Sequence, residues 1–160
     1  MPNEHESEPL FTAENYRVQD SFGFLINSLR ARMMAVMDRE LAPLDITSAQ
    51  WAVLVQIAET PGCTAAALCR RVLYDTGSMT RMLDRLEEKG LIRRARSEHD
   101  RRAAYLHLTD TGQEVHKQLP AYAARVLNAH FEGFSADEVS ALKSLLTRML
   151  TNAERLATND

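Results

Sequence analysis

Apolar residues recur at helical spacing along most of the chain. Between residues 20 and 41 they fall on one face, which predicts a long amphipathic helix that ends before Pro43. Residues 47–50 (TSAQ) have the pattern of a capping box, in which Thr47 and Gln50 satisfy each other's backbone amides. A second helix is therefore predicted to begin there and to end before Pro61.

The next two predicted helices are short and lie close together. Thr64 is suited to cap a helix that reaches about residue 72, and a further helix follows Asp75. Gly90 stands where a residue of left-handed conformation would end the helix that follows Asp75. Spacings of three, four and seven residues place four apolar side chains on its inner face: Met79, Met82, Leu83 and Leu86.

The hydrophobic period then changes from helical to alternating. Residues 91–95 and 103–108 predict two strands around a polar turn at residues 96–102. Two more helices are expected, one running from 109 to about 131 and one opened by a capping box at residues 135–138. The predicted fold class is mainly α with a small β-hairpin, in the order helix, helix, helix-turn-helix, hairpin, helix, helix.

Charge is distributed unevenly along the chain. The chain carries a net charge of −3, but residues 70–107 hold ten basic and six acidic side chains, a local net of +4. A basic segment on an acidic body is typical of a protein with one face directed at phosphates. Many solvated helices also carry arginines, so the charge pattern alone is a weak indication.

The helix after Asp75 has a composition that suits the DNA major groove. Its first residues are small and polar, which would let its backbone approach base edges. With the apolar stripe inward, Ser78, Arg81 and Arg85 fall on the outer face. An ordinary solvated helix face would look the same, so this pattern leaves both interpretations open.

The polar turn favours the nucleic-acid interpretation. A hairpin turn built for stability alone would more usually be a short Asn-Gly or Asp-Gly connection. Here the turn carries Arg96, Arg101 and Arg102, which suits a wing lying along the minor groove beside the predicted recognition helix.

Other classes of protein find little support. There is no glycine-rich phosphate loop, nucleophile–base pair or paired carboxylate in an apolar context, so we expect neither an enzyme nor a cofactor. The histidines are scattered along the chain with no i, i+4 pair, which disfavours a metal site. The acidic first residues do not resemble a secretory signal, and no apolar run reaches membrane-spanning length, so we expect a cytoplasmic protein without a membrane partner.

Four segments resemble the multiple antibiotic resistance regulator (MarR) family in order and spacing. They are residues 44–51 (LDITSAQW), 77–94 (GSMTRMLDRLEEKGLIRR), 100–102 (DRR) and 108–112 (LTDTG). The resemblance covers residues 20–155. Any one segment would be a weak indication, whereas the four together are strong.

The resemblance implies a winged helix-turn-helix with N- and C-terminal dimerisation helices. Residues 1–15 are expected to be a mobile acidic tail and residues 16–160 a single domain. Within it, residues 47–108 would be the winged helix-turn-helix, and 20–41 with 110–157 the dimerisation helices. The implied partners are a second copy of the chain and a pseudo-palindromic double-stranded DNA operator.

The resemblance also implies roles for individual side chains. In the wing, Asp100 would pair with a neighbouring arginine and Arg102 would reach the minor groove, while Arg101 is less constrained. Arg85 would hold the DNA backbone. The residues expected to meet bases or nearby phosphates are Thr76, Gly77, Ser78, Thr80 and Arg81.

Family members commonly release DNA when a small aromatic carboxylate or phenol enters a crevice beside the dimerisation region. The candidate ligand residues here are Ser28, Arg32, Met33, Met37 and Trp51, where an arginine in an apolar setting would suit a carboxylate. Met and Trp side chains at helical spacing usually belong to the core, however, and Arg32 could instead pair with an acidic residue across the dimer.

Two alternatives to ligand control remain open. Cys63 and Cys69 could sense oxidation, but the redox branch of the family places its cysteine in the first helix, so simple packing is favoured. The other alternative is a winged helix used only for protein–protein contact, which the wing arginines disfavour.

Overall fold

The structure is a computed structural model and describes residues 10–72, 75–96 and 104–158. Within these ranges it contains six helices and three short strands. Single turns of 3₁₀ helix at Val18–Asp20 and Ala42–Leu44 flank the first helix. The helices are α1 (Phe22–Leu41), α2 (Ser48–Glu59), α3 (Ala65–Val72), α4 (Thr76–Glu88), α5 (Asp110–His130) and α6 (Ala136–Ala157). The strands are β1 (Cys63–Thr64), β2 (Ile92–Arg96) and β3 (Ala104–Leu108).

The helix ends follow the local signals in the sequence. Gln50 N donates to Thr47 Oγ1 over 3.2 Å and Thr47 N donates to Gln50 Oε1 over 3.1 Å, which confirms the capping box of α2. Ser135 and Glu138 form the second capping box at the start of α6. Gly90 has a φ of 68°, as expected of a left-handed residue that follows a helix.

The sheet contains one strand more than the sequence predicted. β2 and β3 form the expected antiparallel hairpin, with Ile92 opposite Leu108 and Arg96 opposite Ala104. The two-residue strand β1 pairs with the other edge of β3, giving the order β1-β3-β2. A strand of two residues is too short to show alternation, so the sequence analysis did not identify β1.

One apolar cluster joins the central helices, the sheet and α5. Leu54, Leu68, Leu83 and Leu106 are at most 1% exposed and come from α2, α3, α4 and β3. Leu119 of α5 joins the same cluster. The helix-turn-helix and the hairpin therefore rest on a shared core, which sets how α4 is presented to solvent.

The first half of α1 and the whole of α6 expose a broad apolar surface. None of the residues of α6 is buried, even though many of them are apolar. Leu145, Leu150 and Leu156 are 54%, 64% and 69% exposed. Between α1 and α6 lies an apolar groove of about 420 Å³. None of the helices in the described part of the chain is long and apolar enough to cross a membrane.

The segment before α1 is folded locally. Thr12 N donates to Asn15 Oδ1 over 2.8 Å, and Tyr16 N donates to Thr12 O over 3.1 Å. The rings of Phe11 and Phe22 meet edge to face with centroids 5.9 Å apart. Residues 10–15 of the predicted tail thus form a turn against the start of α1, while residues 1–9 lie outside the described residues.

Candidate DNA interface

Helix α4 begins at a cap that leaves its first turn open to solvent. The carboxylate of Asp75 accepts a hydrogen bond from Ser78 N at 2.9 Å. Hydrogen bonds from the Ser78 side chain and backbone hold the pKa of Asp75 below its usual value. The capped end presents backbone amides and the positive end of the helix dipole, an arrangement that suits a phosphate.

The inner face of α4 anchors the helix in the core. Met79 and Leu86 are fully buried and Leu83 is 1% exposed, whereas Met82 is half-buried. The predicted apolar stripe is therefore confirmed. Because this stripe is held against α3 and the sheet, the opposite side of α4 points outward in a defined orientation.

The outer face of α4 carries the residues that the sequence singled out. Ser78 is half-buried beside the Asp75 cap, and its Oγ lies 3.5 Å from Arg81 Nη2. Thr80 Oγ1 donates a hydrogen bond to Thr76 O over 2.9 Å, which holds the Thr80 hydroxyl against the helix backbone. The exposed members of the set are Thr76, Gly77, Thr80, Arg81 and Arg85.

Gly77 is exposed, but there is little space for a side chain at this position. A Cβ at this position would lie 3.3 Å from Asp75 Oδ1, which is tighter than an ordinary van der Waals contact. A larger residue would push against the capping carboxylate. The absence of a side chain also leaves the helix backbone accessible to a ligand.

Only part of the predicted wing is described. Arg96 ends β2 opposite Ala104, and its backbone belongs to the hairpin ladder, but its side chain lies outside what the structure describes. Asp100, Arg101 and Arg102 also lie outside the described residues. Their expected contacts with DNA stay predictions.

An ion-pair cluster joins the hairpin to α4, and the sequence analysis missed it. Arg94 Nη2 lies 2.7 Å from Asp84 Oδ1, and Arg94 Nη1 lies 3.1 Å from Glu87 Oε2. Glu87 also accepts a hydrogen bond from Arg94 N at 3.2 Å. Alternation along β2 places Arg94 on the same face as buried Ile92, and an arginine at an inward position signals acidic partners.

The C-terminal end of α4 is tied to two other parts of the fold. Lys89 Nζ lies 3.0 Å from Asp45 Oδ2 and also bonds the Asp45 carbonyl, which links α4 to the loop before α2. Thr109 donates to Gly90 O over 2.5 Å and accepts from Gly112 N at 3.0 Å. The LTDTG segment thus caps α5 and fastens it to the end of α4.

The five candidate ligand residues are spread over different surroundings. Met37 is 4% exposed in the core, and Trp51 packs against the same core cluster. Met33 lines the apolar groove between α1 and α6, Ser28 is half-buried and Arg32 is exposed. The Trp51 Nε1 atom is buried without a hydrogen-bond partner among the described residues.

The two cysteines lie beside the core. Cys63 is 7% exposed in β1, and burial raises the pKa of its thiol, an effect that nearby Arg71 partly offsets. Because the thiolate is the reactive form, burial disfavours oxidation at Cys63. Cys69 is half-buried in α3 and packs against the core cluster.

Comparisons with known proteins agree on one family. The MarR family model matches residues 44–103. The multiple antibiotic resistance protein MarR of Escherichia coli (strain K12) is 33% identical over 129 residues, which cover 80% of this chain and 90% of that protein. The MarR protein of Salmonella typhimurium is 35% identical over 130 residues, with the same coverage of both chains.

Solved structures of the E. coli protein have a similar fold. The reduced form of MarR has a TM-score of 0.76 and 32% identity, covering 81% of this chain and 96% of that chain. A MarR mutant complexed with operator DNA has a TM-score of 0.74 and 32% identity, covering 80% of this chain and 92% of that chain. The expected fold, a winged helix-turn-helix with long terminal helices, is thereby confirmed.

Proposed function

This chain belongs to the MarR family, and we propose that it is a transcriptional regulator that binds double-stranded DNA in a sequence-specific manner. The observation that carries the proposal is the outer face of α4, where threonines, a serine, a glycine and arginines project from a helix whose other face is buried. The similarity to a MarR structure complexed with operator DNA supports it.

The side chains of α4 suit the chemistry of the major groove. Arg81 carries a planar, forked donor that matches the O6 and N7 acceptors of guanine. Thr76, Ser78 and Thr80 offer hydroxyls that can meet bases or phosphates. Arg85 lies a turn beyond Arg81 and would contact the DNA backbone, where a cation adds affinity without sequence preference.

We propose that the regulator works as a homodimer. Exposed apolar side chains of α1 and α6 line one groove, and a cluster of exposed apolar side chains is typical of an interaction surface. Two copies joined through this surface would present two α4 helices related by a two-fold axis. Such a dimer reads a pseudo-palindromic site, because each half-site meets one helix and one wing.

We propose that the dimer represses transcription and that a small aromatic carboxylate or phenol releases it from the operator. The proposed ligand residues are Ser28, Arg32, Met33, Met37 and Trp51. The buried Nε1 of Trp51 supports a polar partner at this place, since such a donor is usually hydrogen-bonded. Arg32→Ala should abolish the release without changing DNA affinity, and an intact response would refute this residue set.

The experiment that tests DNA binding is fluorescence anisotropy with a labelled duplex from upstream of the protein's own gene. The titration is repeated at several salt concentrations, against a random-sequence duplex, and with a panel of aromatic acids. Tight binding that weakens steeply with salt and that one acid reverses supports the whole proposal. Absence of binding at low salt on both duplexes would overturn it in favour of a protein-interaction role.

A further inference from the structure

A second concave site lies on the side of the hairpin away from α4. It is a cavity of about 390 Å³ between the end of α2, the β2–β3 hairpin and the first turns of α5. Its volume falls in the range of small-molecule sites. The lining residues are Ile57, Ala58, Pro61, Arg93, His107, Leu108, Gln113, His116 and Lys117.

The polar part of this cavity is basic. Arg93 and His107 are directly opposite each other in the β2–β3 ladder, so their side chains share one face of the hairpin. His116 and Lys117 come from α5 on the other side of the cavity. No acidic residue is among the nine that line it.

Three of these basic side chains have no hydrogen-bond or ion-pair partner among the described residues. Neither the Arg93 guanidinium nor the rings of His107 and His116 make a hydrogen bond or ion pair with another described residue. Lys117 differs, because its Nζ lies 2.6 Å from Glu114 Oε1 in an exposed pair. Arg93 and the two histidines are therefore the groups available to a ligand.

Apart from Gln113, the rest of the cavity lining is apolar. Ile57 is 1% exposed at the end of α2, and Pro61 and Leu108 lie beside it. The His107 ring packs close to Gly62, where an added Cβ would come within 3.6 Å of the ring carbon Cε1. An apolar floor under convergent basic groups accommodates a ligand with an apolar body and an anionic end.

We propose that this cavity binds a small organic anion whose carboxylate or phosphate group meets Arg93, His107 and His116. A metal cation is disfavoured there, because no third histidine, cysteine or carboxylate of the described residues joins the two histidines. Arg93 and Lys117 add positive charge that would repel a cation. A planar guanidinium is the donor best matched to the two oxygens of a carboxylate or phosphate.

A ligand in this cavity contacts β2, β3 and α5 together. Its binding energy therefore depends on the position of the hairpin relative to α5. The site involves none of the residues proposed to contact DNA and goes beyond the proposed function, so its occupation is measurable without DNA.

The test follows the histidine Cε1 resonances of the full-length, ¹³C-histidine-labelled protein by two-dimensional NMR. The probes are benzoate, phenyl phosphate and inorganic phosphate, with benzyl alcohol as the neutral analogue of benzoate. The signals of His107 and His116, assigned with the His107→Gln and His116→Gln variants, should shift and saturate with benzoate or phenyl phosphate. His130 serves as the internal reference, because its Nδ1 is engaged with Val126 O at 2.7 Å.

Single substitutions locate the binding. Arg93→Gln and His116→Gln should each weaken the affinity for the anionic probe by about 10-fold, as expected when one charge-assisted hydrogen bond is lost. Arg148→Gln on α6 removes the same charge away from the cavity and should leave the affinity unchanged. If only benzoate saturates the shifts, the ligand of the cavity is a carboxylate. If only phenyl phosphate does so, the ligand is a phosphate ester. Saturation by inorganic phosphate means that binding requires no apolar body on the ligand.

Three results would overturn the proposal. One is the absence of saturable shifts at His107 and His116 with all three anions at millimolar concentration. Another is equal binding of benzyl alcohol and benzoate, which would remove the role of the charge. The third is unchanged affinity in Arg93→Gln. Since no DNA is present, none of these results bears on the proposed regulator.

Discussion

Arg94 in β2 and Asp84 in α4 are joined by an ion pair of 2.7 Å, which connects the hairpin to the helix that carries the proposed base contacts. Glu87, one turn further along α4, lies 3.1 Å from the same guanidinium. The side chain of Arg94 is 30% exposed, so the pair is shielded from water only in part. Its main consequence is geometric, because it fixes the orientation of β2 relative to α4 on either side of Gly90.

Replacing Arg94 should therefore impair DNA binding more than stability. Arg94→Met keeps the aliphatic stem and should lower the free energy of unfolding by only about 1 kcal/mol, the usual scale for a partly exposed pair. The affinity for the operator duplex, measured by anisotropy, should fall further than this loss of folded protein explains. Lys143→Met on α6 is the control for the same change in net charge, and equal affinities of the two variants would contradict the prediction.

Arg81 and Arg85 should differ in what their loss does to sequence preference. Arg81→Ala should cost about 1–3 kcal/mol on the operator and little on random DNA, because a base contact carries specificity. Arg85→Ala should weaken both duplexes alike and reduce the slope of log affinity against log salt by about 1, as expected of a phosphate contact. Anisotropy titrations on the two duplexes distinguish them, and identical profiles would refute the division of roles.

Arg102→Ala should weaken operator binding by about 1–3 kcal/mol with little change in the melting temperature. The reason is the expected insertion of its guanidinium into the minor groove, which positions the wing. The measurement is the operator affinity together with a thermal melt of the free protein. Unchanged affinity would refute the wing assignment for this residue.

If the apolar faces of α1 and α6 form the proposed dimer interface, a single substitution in that interface should convert the dimer to a monomer. Leu145 is 54% exposed on α6, so Leu145→Glu should leave the subunit folded but place a charge in the subunit interface. Sedimentation velocity should then show a monomer instead of a dimer. Thr147→Glu, elsewhere on the same helix, is the matched control, and a dimeric Leu145→Glu would exclude this face.

Gly112 should tolerate no side chain. A Cβ there would lie 1.9 Å from Leu91 O, and that carbonyl is itself held by Thr109 N at 3.1 Å. Gly112→Ala should lower the free energy of unfolding by about 1–3 kcal/mol, as overpacking does. Gly23→Ala is the control, because nothing lies within 4 Å of its added Cβ. Chemical denaturation at one protein concentration compares them, and equal midpoints would contradict the expectation.

The sequence predicted the elements whose causes are local. Capping boxes at residues 47–50 and 135–138 involve groups three residues apart, and the structure confirms both. The apolar stripe of α4 was equally readable, because Met79, Leu83 and Leu86 share a face in any regular helix. The residues on the opposite face, among them Arg81 and Arg85, followed directly from that stripe.

The histidines show where sequence reasoning stopped. His107 and His116 looked unrelated, one on a strand and one on a helix, with no common spacing. The packing of α5 beside the hairpin places both along one cavity with Arg93. The sequence analysis looked for histidines at metal-binding spacing and found none. It could not show that His107 and His116 line one cavity, because the tertiary fold alone brings them together.

The sequence by itself determined the order of the helices, their caps, the hairpin and the face of α4 that meets solvent, since each depends on contacts within a few residues. The tertiary structure alone decided the partners of Arg94, the close approach of Gly112 to Leu91, the pairing of β1 with β3 and the basic cavity. Each of these joins separate elements of the fold. Hydrophobic burial brings those elements together without direction, and the detailed fit of side chains in the shared core then selects which polar groups meet.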